Sequence, residues 1–228
     1  MLAGCLGPRG GAPLPVVKSA APRSVRSVHA FQASRDGAGV ALRRVLGHRG
    51  LPDLDPFLLL DEIRSDRQQD FIAGFPEHPH RGFETVSYLL GGAFEHRDSV
   101  GNSGRIGAGA TQWMTAGRGI LHEEMPKQDD GKLLWGFQLW VNLPAAEKMI
   151  RPRYQELAAS DIPELDGDGA RVRLVAGALA GRRGPVDGRP RPRVRLRRGR
   201  PRGRPGPRRS RRGRRGLDLQ QLSRRLAQ

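Results

Sequence analysis

The sequence predicts an all-β barrel, and three observations lead there. Leu134 to Val141 alternates in sidedness, so that Trp135, Phe137, Leu139 and Val141 share one face of a strand. Glycines recur through the middle of the chain, at Gly101, Gly104, Gly107 and Gly109, a spacing that suits tight β-turns better than helices. Two short runs of metal-donor residues, His78-Pro79-His80 and His122-Glu123-Glu124, repeat with a period of two. A strand turns residues i and i+2 to the same side, so each run aims two donors in one direction.

Taken in order, residues 1–27 carry no periodic pattern and are expected to be a disordered or wrongly assigned leader. The run from Gly39 to Leu46 is bounded by glycine and reads as a strand. Pro52 and Asp53 mark a turn, and Pro56 to Asp61 is a short buried strand followed by a polar connection from Glu62 to Asp70. Phe71 to Pro76 leads into the first donor pair. Glu84 to Leu90 is rich in β-formers, Gly91-Gly92 is a turn, and Ala93 to Asp98 is the returning strand. Thr111 to Met114 is a further strand, and Gly117 and Gly119 precede Leu121-His122. Pro144 to Asp168 is mixed and is expected to hold a short helix; Ala170 to Ala176 is another strand.

The charge divides the chain sharply. Its net charge is +17, and residues 181–228 hold 19 Arg and 2 Asp, so the first 180 residues are balanced. The stretch from 187 is dominated by Arg, Pro and Gly, all of which can be encoded by G and C alone. It is expected to be either the out-of-frame reading of a GC-rich gene or a disordered polycation that touches nucleic acid without sequence choice. It holds no aromatic residue to stack bases. Cys5 is the single cysteine, which excludes an internal disulfide and fits a cytoplasmic setting. No apolar run approaches the ~20 residues of a membrane span, so no membrane association is expected.

The candidate chemistry lies between Gly74 and Pro126. Imidazole and carboxylate donors from two strands suit a first-row transition metal. Three carboxylates compete for the fourth position. Glu84 keeps strand parity with His80, Glu124 keeps it with His122, and Glu123 is turned away if its strand is regular. On the residues alone both Glu84 and Glu124 stand; a Glu84 that is not a ligand is expected behind an imidazole, as its hydrogen-bond acceptor. His96 is expected on the barrel wall or rim, and His29 and His48 outside the site. Trp113, Trp135 and Trp140 are expected in the core rather than as a substrate platform, and Arg81 at the surface. Pro79 stiffens the spacing between the two histidines.

The frame Gly74, His78, His80, Glu84, Gly91 resembles the first cupin motif, with a shorter gap after the first glycine, and His122 after its glycine-rich turn resembles the second. Longer words go further: DPFLLLDE at 55–62, GFPEHPHRGFETVSYLLGGAFEHRDSVGN from 74, QWMTAGRGILHEEMP from 112 and GFQLWVNLPAAEKMIRPRYQEL from 136. These resemble the pirin family within the cupins, over about residues 28–186. The resemblance implies a double-stranded β-helix (jelly-roll) barrel. It implies an N-terminal metal-binding domain at 28–150, and at 151–186 a linker and the start of a truncated second cupin.

The resemblance also implies the ligand set His78, His80, His122 and Glu124, with Glu124 serving in addition as the catalytic base. One divalent transition metal is expected, Fe(II) first and Mn, Ni, Co or Cu as alternatives. Three imidazoles and a carboxylate leave two positions of an octahedron open for dioxygen chemistry. The implied activity is a quercetin 2,3-dioxygenase type, with a flavonol-like substrate and O2 as partners. A second implied reading is a metal- or redox-sensing regulator that binds protein partners.

Overall fold

The computed structural model of the chain describes residues 24–52, 54–128, 133–167 and 170–186. What was expected of residues 1–23 and of the Arg-rich stretch from 187 lies outside those residues. The described chain is antiparallel β throughout its long ladders, with three short 3-10 turns and no α-helix. The helix expected between Pro144 and Asp168 is replaced by two such turns, Ala145–Glu147 and Ala159–Asp161, around one strand.

The strands are β1 (Gln32–Asp36), β2 (Val40–Leu46), β3 (Phe57–Ser65), β4 (Phe75–His80), β5 (Phe83–Gly91), β6 (Ala93–Asp98), β7 (Ser103–Ile106), β8 (Thr111–Thr115), β9 (Ile120–Lys127), β10 (Leu134–Asn142) and β11 (Arg153–Leu157). Two small hairpins follow, β12 (Glu164–Gly167) with β13 (Ala170–Arg173), and β14 (Ala178–Leu179) with β15 (Arg182–Arg183). Seven strands form one sheet in the order β1-β2-β3-β10-β5-β8-β11, and four form a second in the order β4-β9-β6-β7. Among the described residues no ladder joins the two sheets, so the barrel is not closed.

β3 runs on through Glu62 to Ser65, where a polar connection was expected. The reason is charge pairing across the sheet. Glu62 lies opposite Arg43 on β2 and bonds its guanidinium, and it accepts a hydrogen bond from Trp135 Nε1 at 2.9 Å. A carboxylate held in this way is compatible with a central strand. Asp61 is likewise clamped by Arg44, whose Nε and Nη2 donate to its two oxygens at 2.9 and 2.8 Å.

The interior is divided along the strands. At one end Val40, Leu42, Ile63, Leu89 and Leu134 of the large sheet meet Phe94 and Ile106 of the small one, closed by Phe71 and Ala110. A second, smaller cluster joins Met114, Ala116 and Ile120, with Tyr154 against it. The inward row of β5 runs Leu89, Ser87, Thr85, Phe83, and that of β10 runs Leu134, Gly136, Gln138, Trp140. Both rows therefore pass from apolar core to polar residues and then to aromatic ones. The polar step is where the candidate site lies.

Candidate metal centre

The structure brings His78, His80 and His122 together. His78 and His122 are direct cross-strand partners on β4 and β9, and His80 is two residues along β4. The three ring centroids lie 4.6, 4.7 and 4.8 Å apart, and the donor nitrogens all lie within 4.8 Å of one another. His80 and His122 are buried, and His78 is half-buried.

The tautomer of His78 follows from its surroundings. Its Nδ1 is 2.8 Å from the Pro76 carbonyl oxygen, which only accepts, so Nδ1 carries the proton and donates. Its Nε2 faces the cluster and sits 3.0 Å from His80 Nε2. Both ring nitrogens of His122 are buried without a hydrogen-bond partner, Nε2 being the one on the side of Glu124, 4.0 Å from its Oε2. Burial pushes the His80 pKa down to about 3, helped by His122 and His78. Burial and the facing His78 do the same for His122, also to about 3. His80 and His122 are thus held in the neutral form, which is the one that binds metal.

The three imidazoles suit an ion. Bonds of ~2.1 Å at right angles put neighbouring donors about 3.0 Å apart and opposite ones about 4.2 Å apart. The His78–His80 nitrogen separation is 3.0 Å, and the three donors lie within 4.8 Å of one another before any ion draws them in. Glu124 stands beside this group, its Oε2 4.0 Å from His122 Nε2. An ion would also account for the partnerless Nε2 of His122, a buried polar atom that otherwise bears its desolvation cost uncompensated.

Glu124 shares the inward face of β9 with His122. Its Oε2 accepts from Gln138 Nε2 at 2.8 Å and its Oε1 from Ser87 Oγ at 3.3 Å, both donors belonging to the facing sheet. Glu123 points outward to Arg97, as its parity predicts.

Glu84 is corrected on its position. The parity shared with His80 holds only within one strand, and the chain reverses between them at Arg81-Gly82, where Gly82 takes φ +79°. Glu84 starts the opposite row of β5, paired with Thr115, whose Oγ1 donates to Glu84 Oε1 at 2.7 Å. Ser87, three residues on, faces the cluster, so Glu84 projects from the other side of the sheet.

The wall beside the cluster is aromatic. Phe83 and Trp140 stack at 4.6 Å and 29°, and both lie nearly perpendicular to the His80 ring, at 5.1 and 5.2 Å. Trp140 therefore stands at the site, not in a remote core. Trp113 and Trp135 occupy the opposite row, away from the cluster.

His96 is buried opposite Glu124 on β6, so the barrel-wall expectation holds for its strand. Its Nε2 lies 2.7 Å from Glu156 Oε1, which also accepts from Gln112 Nε2 at 2.8 Å, and the Tyr154 ring stacks on it at 5.2 Å. Burial and the Asp98 carboxylate push the Tyr154 phenol up. His29 is exposed, and His48 accepts from the Gly50 amide, both away from the cluster.

Sequence reading missed Ser87, Gln138, Gln112 and Glu156. Parity misled for Gln138, which alternates with the apolar row Trp135, Phe137, Leu139 and Val141 and yet lies on the row that faces the interior.

Two facing antiparallel sheets, with a His-x-His pair on one strand and a third histidine on its neighbour, define a cupin. Residues 39–141 match the family model described as Pirin. It is 49% identical to a pirin-like protein of Caulobacter vibrioides over 168 residues, 73% of this chain and 60% of that protein. It is 50% identical to human pirin over 147 residues, 64% of this chain and 49% of that protein. Among solved structures it superposes on a quercetin 2,3-dioxygenase from Acinetobacter baumannii with a TM-score of 0.60 and 38% identity, covering 71% of this chain and 60% of that one. The chain thus spans about half to three fifths of the length of these relatives. Among the described residues no helix is long and apolar enough to cross a membrane.

Proposed function

We propose that His78, His80, His122 and Glu124 hold one divalent transition metal, Fe(II) in the first place, and that the centre serves a dioxygenase reaction on a flavonol-like substrate. The observation that carries this is the convergence of three imidazoles from two neighbouring strands, with the His122 Nε2 left without any hydrogen-bond partner. The likeness to the Acinetobacter quercetin 2,3-dioxygenase supports the reaction class.

The bound metal would supply Lewis acidity and a redox-active site for dioxygen. The rest is the work of this chain. Glu124 accepts the proton of the substrate hydroxyl on a carboxylate oxygen, as a base already oriented by Gln138 and Ser87. The stacked Phe83 and Trp140 offer a flat apolar wall beside His80, suited to an aromatic substrate ring. The apolar cluster behind Ser87 keeps water from the inner side of the site.

The test uses the full chain loaded with Fe(II) under argon and then given quercetin and O2. Loss of flavonol absorbance with matching oxygen uptake is expected, and His80→Ala should abolish both. Metal-loaded protein that consumes no oxygen with quercetin or another flavonol would refute the dioxygenase reading.

A further inference from the structure

We propose that Gln138, set by Trp140, is the positioning residue that fixes the Glu124 carboxylate against the metal-binding histidines; this rests on the metal-centre reading above. The argument is one of hydrogen-bond direction. An indole N–H can only donate. Trp140 Nε1 lies 3.3 Å from Gln138 Oε1, so that end of the amide is the oxygen and the other end is the NH2. Its two hydrogens then have two acceptors, Glu124 Oε2 at 2.8 Å and Ser87 Oγ at 3.5 Å. Ser87, having accepted, donates its own hydrogen to Glu124 Oε1 at 3.3 Å. Every proton in the chain has one place, and both carboxylate oxygens end as acceptors.

The register makes this an element of the fold. Gln138 and Ser87 are direct partners on β10 and β5, and Trp140 is two residues from Gln138 on the same inward row. Glu124 comes from β9 of the other sheet. The clamp therefore spans the sandwich at the level of the histidines. A glutamate side chain has three torsions, the last of them broad. Left alone it would lose its orientation; held from behind by an amide and a hydroxyl, it meets the ion without that ordering cost.

The test is a double-substitution cycle on the full chain, using Ni2+ affinity by calorimetry and the visible spectrum of the Co2+-loaded protein. Gln138→Met keeps the volume and removes the donor; a loss of at least about tenfold in Ni2+ affinity and a changed Co2+ spectrum are expected. Trp140→Phe keeps the aromatic wall but frees the amide to turn, so a smaller loss is expected, with no further loss when added to Gln138→Met. Wild-type affinity and an unchanged Co2+ spectrum in Gln138→Met would overturn the role of Gln138. Full additivity of the two changes would overturn the role of Trp140. A wild-type chain that takes up no Ni2+ would sink the metal-centre reading itself, and this inference with it.

Discussion

Replacing each candidate carboxylate in turn separates the two readings of the fourth ligand. In Glu124→Gln the side chain keeps its size but loses its charge and one acceptor. Both Glu124 oxygens accept hydrogen bonds, from Gln138 and Ser87. The new NH2 would turn to Ser87 Oγ, whose hydroxyl must rotate to accept, so the Ser87 donation is lost. Removing even a residue that only supports a ligand costs 10–100-fold in metal affinity as an order of magnitude, and loss of an anionic ligand lies at the upper end, roughly 100-fold or about 2.7 kcal/mol. Glu84→Gln differs. Glu84 projects from the other face of β5, and the oxygen of a glutamine there can still accept from Thr115 Oγ1. Its Ni2+ affinity should stay within about twofold of wild type. Ni2+ is the practical probe, since it binds nitrogen and oxygen sites more tightly than Fe2+ or Mn2+ and is stable in air. Calorimetric titration of the metal-free chain gives the affinities, and circular dichroism with thermal melting checks the fold of each variant. The reasoning is refuted if Glu84→Gln loses affinity while Glu124→Gln keeps it.

Two further outcomes are expected. The metal-free protein should lose stability as pH falls from about 6.5 to about 3, because in that window the unfolded chain protonates His80 and His122 while the folded chain, with both pKa values near 3, does not; urea unfolding across that range reads it, His80→Ala should flatten the slope, and a slope unchanged by that substitution would count against the burial argument. Gly104→Ala would place a methyl 2.6 Å from His96 Nε2 and 3.0 Å from Glu156 Oε1, so the pair must separate, at a cost of about 2 kcal/mol in unfolding free energy; a variant as stable as wild type would show that His96 and Glu156 have room to move.

Much of this arrangement was legible in the sequence, and the limits have physical causes. The β class showed because turn glycines and alternating strands are local signals, as in Leu134–Asn142. The His-x-His pair showed because a period of two is itself the geometry of a strand. Parity failed for Glu84 because counting alternation is valid only inside one strand, and a left-handed glycine at position 82 ends that strand. The polar run from Glu62 hid the end of β3 because its charges are neutralised by Arg43, which comes from another strand. The His96–Glu156 contact joins residues 60 positions apart, across the two sheets, and no local pattern announces it.

The division of labour between the sheets bears on what the chain can be asked to do. The histidines and Glu124 come from the four-stranded sheet, while Ser87, Gln138, Phe83 and Trp140 come from the seven-stranded one. All eight lie inside residues 39–141, the stretch that matches the family model. The proposed metal centre thus draws only on residues of that stretch. Turnover is a separate matter, since the aligned stretch covers 60% of the Caulobacter relative and of the Acinetobacter dioxygenase. Affinity and the Co2+ spectrum consequently test the centre on its own terms. A variant that leaves both unchanged yet alters flavonol turnover would locate its effect in the approach of the substrate, with Trp140 and Phe83 the first residues to examine.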